Sequence, residues 1–403
     1  MKRAVFMFGL ALTTALTSQG QGQMEFLSAP ITDEEYIIVQ MTEDFLSDHK
    51  FGSPWLRDLD FRVRSSGSQI GIEEYRMRLG LINPLEIKAN RDYKRLVDQQ
   101  FGAEKREVLN DVMLRRYEIL LEHAFLSGKS GLQDMRQNEL QSQSELLLGA
   151  QGSLNDLIDV EESLTKLGLE GIDIDHKIEL VMSSVSTSGV QNLDWGSFVI
   201  IPVDSMWQRA QEIEWSNGIL HDQARRSLAL KEQLLKIDRA EAFSNLGFIQ
   251  GEYDLDRGDL PADHLGFQVG LTIPIFNSDK PQLERKKLAL IDDQVELQTS
   301  VSVEKDRVNN ILSEMGTSYL QLQLLKERSE KLNEYRQLNS EISGDLDTYI
   351  KLSELEYFMR EKSLNYESSL RMNYIRLLHL KGKLAETPLI NYLSAGEASF
   401  ELK

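Results

Sequence analysis

Gly128-Lys129-Ser130 has the residue types that end a phosphate-binding loop, where a lysine meets phosphate and a hydroxyl meets magnesium. That loop also needs a glycine at position 123 and a strand-to-helix turn. Here the position is His123, and the surrounding residues are helix formers. Asp254, Asp256 and Asp259 resemble the opening of a calcium loop, but the glycine is misplaced and no glutamate closes it. Arg257-Gly258-Asp259 reads as a chance tripeptide in an exposed loop. The six histidines show no ligand spacing, and no nucleophile, base and orienting group can be assembled. The absence of cysteine excludes a disulfide scaffold, thiolate chemistry and a lipid-bearing N-terminal cysteine. The chain reads as a non-enzyme with no cofactor and no resident metal. What remains are acids that follow two glycines: Asp156 and Asp159 after Gly152, and Asp345 and Asp347 after Gly344. Such acids serve either as helix caps, at ~0.3–1 kcal/mol each, or, in a symmetric assembly, as a ring that favours cations and holds divalent ions.

The elements that must position these acids repeat. "RLGLINPLEIKANRDYKR" (78–95) resembles "QVGLTIPIFNSDKPQLER" (268–285), with Gly80 matching Gly270 and Pro84 matching Pro274 at an offset of 190. From Pro84 to Gly152 is 68 residues and from Pro274 to Gly344 is 70. The first interval lacks a further proline, the second holds only Pro281 near its start, and both are rich in helix formers. Another helical stretch follows each glycine. The sequence therefore predicts two copies of a strand pair followed by a helical hairpin.

In the first strand pair Leu59, Phe61 and Val63 alternate with acids and arginines, as do Tyr75, Met77, Leu79 and Leu81. In the second, 264–274 alternates without a break for 11 residues, the length of a membrane-crossing strand at ~9–11 residues. Asp60, Arg62, Arg76, Arg78 and Gln268 fall on the polar side and are read as facing a wet lumen. Four strands cannot close a membrane barrel, and lipid tolerates no open sheet edge, so if these strands span a membrane, chains must share one; a soluble hairpin packed on a helix is the alternative. Pro84 and Pro274 suit the point where a strand ends and a helix begins. A helix of 68–70 residues is roughly 100 Å long at ~1.5 Å per residue, the length of a stave or coiled coil rather than of a globular core helix. Broad apolar stripes support staves with neighbours on two sides. Leu109, Val112, Leu120 and Ala124 form one, with Met113 and Tyr117 beside it; Met359, Tyr366, Leu370, Tyr374, Leu377 and Leu384 form another.

Met1-Lys2-Arg3, the apolar run 4–16 and a small polar stretch read as a secretory signal over 1–22. No later run approaches the ~20 apolar residues of a membrane helix. The formal net charge of −19 becomes −21 without Lys2 and Arg3, so nonspecific binding to nucleic acid or anionic lipid is disfavoured.

Taken in order, "VGLTIPIF" (269–276), "GSLNDLIDVEESL" (152–164) and "SLNYESSLRMNYIRLLHLKGKL" (363–384) resemble the TolC-type outer-membrane efflux proteins over nearly the whole chain after the leader. The resemblance implies a mainly helical, trimeric α/β barrel. Four strands per chain would share a twelve-stranded outer-membrane barrel, long helical staves would form a periplasmic tunnel, and the hairpin ends near Gly152 and Gly344 would be gates. It implies a Gram-negative outer-membrane location and a periplasmic adaptor and inner-membrane pump as partners. The function would be the passive exit duct of a tripartite efflux or type I secretion system. On this reading 23–186 is the first repeat (strands about 56–84, helical hairpin about 85–186) and 187–205 an equatorial linker. The second repeat is 206–387 (strands about 243–276, hairpin about 278–387), and 388–403 is an equatorial tail. The tip acids depart from the family's spacing, and Gly168 and Gly171 leave the continuity of the first ascending helix open. The alternative from a different class is a soluble periplasmic coiled-coil scaffold, which would need no detergent for extraction. The exported substrate is not legible.

Overall fold

The computed structural model describes residues 21–31, 34–48, 56–65, 72–81, 84–149, 154–187, 200–213, 218–242, 248–254, 265–270, 280–342, 346–394 and 398–402. Gly152, Gly344, Asp345 and Pro274 lie outside them, as do 1–20, residues 255–264 and the last part of the expected strand, 271–274.

In chain order the elements are α1 (Gln21–Leu27), α2 (Glu34–Asp48), β1 (Leu56–Ser65), β2 (Ile72–Leu81), α3 (Pro84–Gly149), α4 (Leu154–Thr187), α5 (Val203–Glu212) and α6 (Ile219–Ala242). Then come β3 (Phe248–Asp254), β4 (Leu265–Gly270), α7 (Lys280–Ile342), α8 (Leu346–Leu380), a 3-10 turn (Lys383–Ala385), β5 (Leu389–Ile390) and β6 (Ser399–Phe400). The order helix, strand, strand, long helix, helix thus occurs twice. α3 has 66 residues and α7 has 63. Pro84 is the first residue of α3, where a missing N–H costs nothing, and Glu86 follows in its first turn.

Several boundaries differ from the sequence reading. α1, α2, α5 and α6 were not anticipated; α1 crosses the limit drawn at residue 22 and α5 the one drawn at 205. α4 runs without interruption through Gly168 and Gly171; Gly171 faces the Gln133 side chain, whose amide donates to the Leu167 carbonyl. The second hairpin stops at Leu380, not 387, because Gly382 adopts φ 68°, a left-handed conformation that ends helices.

The chain forms two compact units. One comprises Met1–Ile38, Arg106–Ile219 and Glu304–Lys403; the other comprises Val39–Lys105 and Leu220–Val303. In the first, the expected stripes are core: Val112, Met113, Tyr117 and Leu120 of α3 and Leu370, Tyr374 and Leu377 of α8 are buried. Phe26 and Leu27 of α1, Met206 of α5 and Met315 of α7 complete that cluster. The two segments expected to be equatorial meet there. Ile201 donates its N–H to the Leu393 carbonyl at 2.9 Å, and Leu389, Tyr392, Leu393 and Phe400 join the same core. Toward the ends of α3 and α4, Leu140, Leu147, Val160 and Leu167 form a second cluster with Tyr357 against it. Arg136 stacks over the Tyr357 ring at 5.5 Å and pairs with Glu139 at 3.2 Å.

In the second unit, the four strands form one antiparallel sheet in the order β1-β2-β3-β4. α6 is tied to both long helices: Gln233 donates to the Ala89 carbonyl at 2.8 Å, and Lys231 pairs with Asp293 at 2.6 Å.

Candidate functional site

The sheet has two chemically different faces, set by its register. One row across all four strands reads Phe61, Met77, Gly251, Phe267. The rows on the opposite face read Arg62, Arg76, Glu252, Gly266 and Asp60, Arg78, Gln250, Gln268. Period-two alternation, kept in register across four strands, sorts the side chains this way. All five residues expected to line a polar face, Asp60, Arg62, Arg76, Arg78 and Gln268, are therefore brought together.

The apolar face is bare. Phe267 is 81% exposed, Val269 74% and Phe61 60%, and Ile249, Leu265 and Met77 are exposed too. Phe61 and Tyr75 pack ring to ring at 6.3 Å. Gly251 leaves open space beside the Phe267 ring, whose Cε1 would lie 4.0 Å from a Cβ at that position. Apolar patches of this extent are uncommon on a surface that faces water.

The polar face is cross-linked. Arg76 bridges β2 and β3, with Glu74 at 2.8 Å and Glu252 at 3.1 Å, and Arg62 pairs with Asp60 at 2.8 Å. Gln250 is buried between its neighbours, donating to Glu252 and, at 3.5 Å, to Gln268. Each such pair is worth little alone, ~0–1 kcal/mol, but together they fix the arginines that stand opposite one another. Gln250 and Glu252 were missed as site residues. Their alternation was present, but Gly251 breaks the apolar half of the pattern that makes a strand easy to see.

At the junctions, Gly80 and Gly270 both pair with Phe248 in the register, one from each side. At the hairpin ends, Asp156 lies in the first turn of α4 and Asp159 in the next, both exposed, with the Asp159 carbonyl accepting from the Ser163 hydroxyl at 2.8 Å. Asp347 is the second residue of α8.

Gly128-Lys129-Ser130 is helical throughout and forms no strand-to-helix turn. Gly128 sits in mid-α3 against Leu364, and His123 is buried on the same helix, where desolvation pulls its pKa below the usual histidine value. Among the described residues there is no group of three or more metal-ligating side chains and no helix long and apolar enough to cross a membrane.

No family model matches the chain, and no curated protein matches it. Solved structures do. The outer-membrane channel OprN aligns with a TM-score of 0.60 at 13% identity, over 92% of this chain and 90% of that one. The open state of the Neisseria gonorrhoeae MtrE outer-membrane channel gives 0.61 at 13% identity, over 90% and 88%. The Campylobacter jejuni CmeC outer-membrane channel gives 0.55 at 12% identity, over 91% and 85%. Over nine-tenths of its length, the chain has the fold of these outer-membrane channels.

Proposed function

We propose that the protein is a passive outer-membrane exit duct, a non-enzyme serving a tripartite efflux pump or type I secretion system. The observation that carries this is the two-faced sheet: a bare apolar face suited to lipid and an ion-paired face suited to a wet lumen. Its apolar face argues against a soluble scaffold. An edge strand on either side of a four-stranded sheet has no tolerable end in lipid, so three chains would close a twelve-stranded barrel. The helices α3, α4, α7 and α8 would be the staves of a periplasmic tunnel. An adaptor would dock near their far ends, and an inner-membrane partner would supply energy. The two halves, 23–186 and 206–387, would be repeats, with 187–205 and 388–403 equatorial.

Threefold symmetry would turn any inward-facing tip acid into a ring. Asp159 and Asp347 are the ring residues in this reading, while Asp156, in the first turn of α4, serves as a cap; Asp347, the second residue of α8, is also placed to gain from the helix dipole. Purified protein in planar bilayers tests both levels. Steady trimer-sized conductance supports the duct. Asp159→Asn with Asp347→Asn should then lower cation selectivity and weaken block by divalent ions, with at most ~1 kcal/mol lost in stability. Unchanged selectivity in a conducting double variant leaves the acids as caps; no conductance from the parent protein removes the duct.

A further inference from the structure

Two consecutive residues in the middle of α3 hold opposite ends of the chain. Arg116 is buried, and its guanidinium donates to the carbonyls of Leu27 at 2.7 Å, Ala29 at 2.9 Å and Pro30 at 3.0 Å. These carbonyls end α1 and the turn after it, groups that a helix C-terminus leaves unpaired and that attract a cation. Tyr117 faces the other end. Its hydroxyl donates to the Ile390 carbonyl at 2.8 Å and accepts the Tyr392 N–H at 3.3 Å. Burial pushes the phenol far above its ordinary pKa, so it remains a donor.

We propose that Arg116 and Tyr117 form a two-sided clasp, through which residues 24–30 and the tail 389–393 dock and release as one cooperative unit. Consecutive helical residues project about 100° apart from a single turn, so any shift of α3 at this point moves both grips. The two ends also share one core, since Phe26, Leu27, Leu389 and Leu393 belong to the same buried cluster. Losing either end strips a buried polar group of its partners and opens that core to water, which weakens the seat of the other end. The segment around Ile201 follows, because it hydrogen-bonds to Leu393. This part of the unit is therefore completed only when residues 389–400 are in place.

Hydrogen exchange on the full-length, detergent-solubilised protein tests the coupling. The reporters are the amides of Ser28, bonded to Met24, and of Asn391, bonded to Ala398. Tyr117→Phe removes one oxygen and touches only the tail grip. It should speed exchange at least tenfold, since the hydroxyl's two hydrogen bonds are lost, at both reporters, while α7 amides around Met315 stay protected. Arg116→Met, which removes the N-terminal grip, should give the same pattern. If Tyr117→Phe frees the tail alone, frees neither end, or loosens α7 as well, the clasp is not a coupling device.

Discussion

Phe267→Arg and Val269→Arg should each destabilise the membrane-inserted protein by about 2–4 kcal/mol near the bilayer midplane, and Gln268→Arg should not. The three positions are consecutive on β4, so strand context and distance from the chain ends are matched. They differ in the face they occupy. Phe267 and Val269 belong to the bare apolar face, and Gln268 stands opposite Gln250 in a row with Asp60 and Arg78. An arginine on the first face must be desolvated or must distort the bilayer around it. On the second it joins a surface already carrying Arg62, Arg76 and Arg78. Assembly yield in the outer-membrane fraction and the denaturant midpoint in detergent read the effect. Equal loss from all three substitutions would mean that the sheet does not separate lipid from water.

Gly218→Ala should cost about 3 kcal/mol in the other unit. Glu304 of α7 is only 1% exposed, and one carboxylate oxygen accepts the Gly218 N–H at 3.0 Å. A Cβ on residue 218 would stand 1.5 Å from the other carboxylate oxygen and 2.8 Å from the Leu380 backbone carbonyl. The carboxylate must move away, losing its hydrogen bond while still buried, and the Leu380 backbone must shift. Chemical denaturation measures the cost. Combining it with Glu304→Ala should return part of the loss, leaving the share that belongs to Leu380, because the two positions are in direct contact. Strict additivity would place the strain elsewhere.

Much of this architecture was legible because its periods are clean. The alternation at 72–81 and 265–270 marks strands, and the proline-free runs after Pro84 and Pro281 mark helices too long for a globular core. Asp60, Arg62, Arg76, Arg78 and Gln268 could be grouped because register follows the hydrophobic pattern. What escaped depends on contacts far apart in the chain. The β2–β3 pairing, which sets Arg76 beside Glu252, leaves no local signal in either strand. Nor does "QGQMEFL" announce that it will cap a core 90 residues away through Arg116. Gly168 and Gly171 suggested a break in α4, but packing of Gly171 against Gln133 overrode their weak helix propensity.

Chains that share one membrane barrel must leave the membrane together, so the mass of the protein extracted in detergent decides whether they form a common duct. Extraction should require detergent, and the protein–detergent complex should contain three chains in a single stable species. A monodisperse monomer recovered without detergent would contradict a shared barrel.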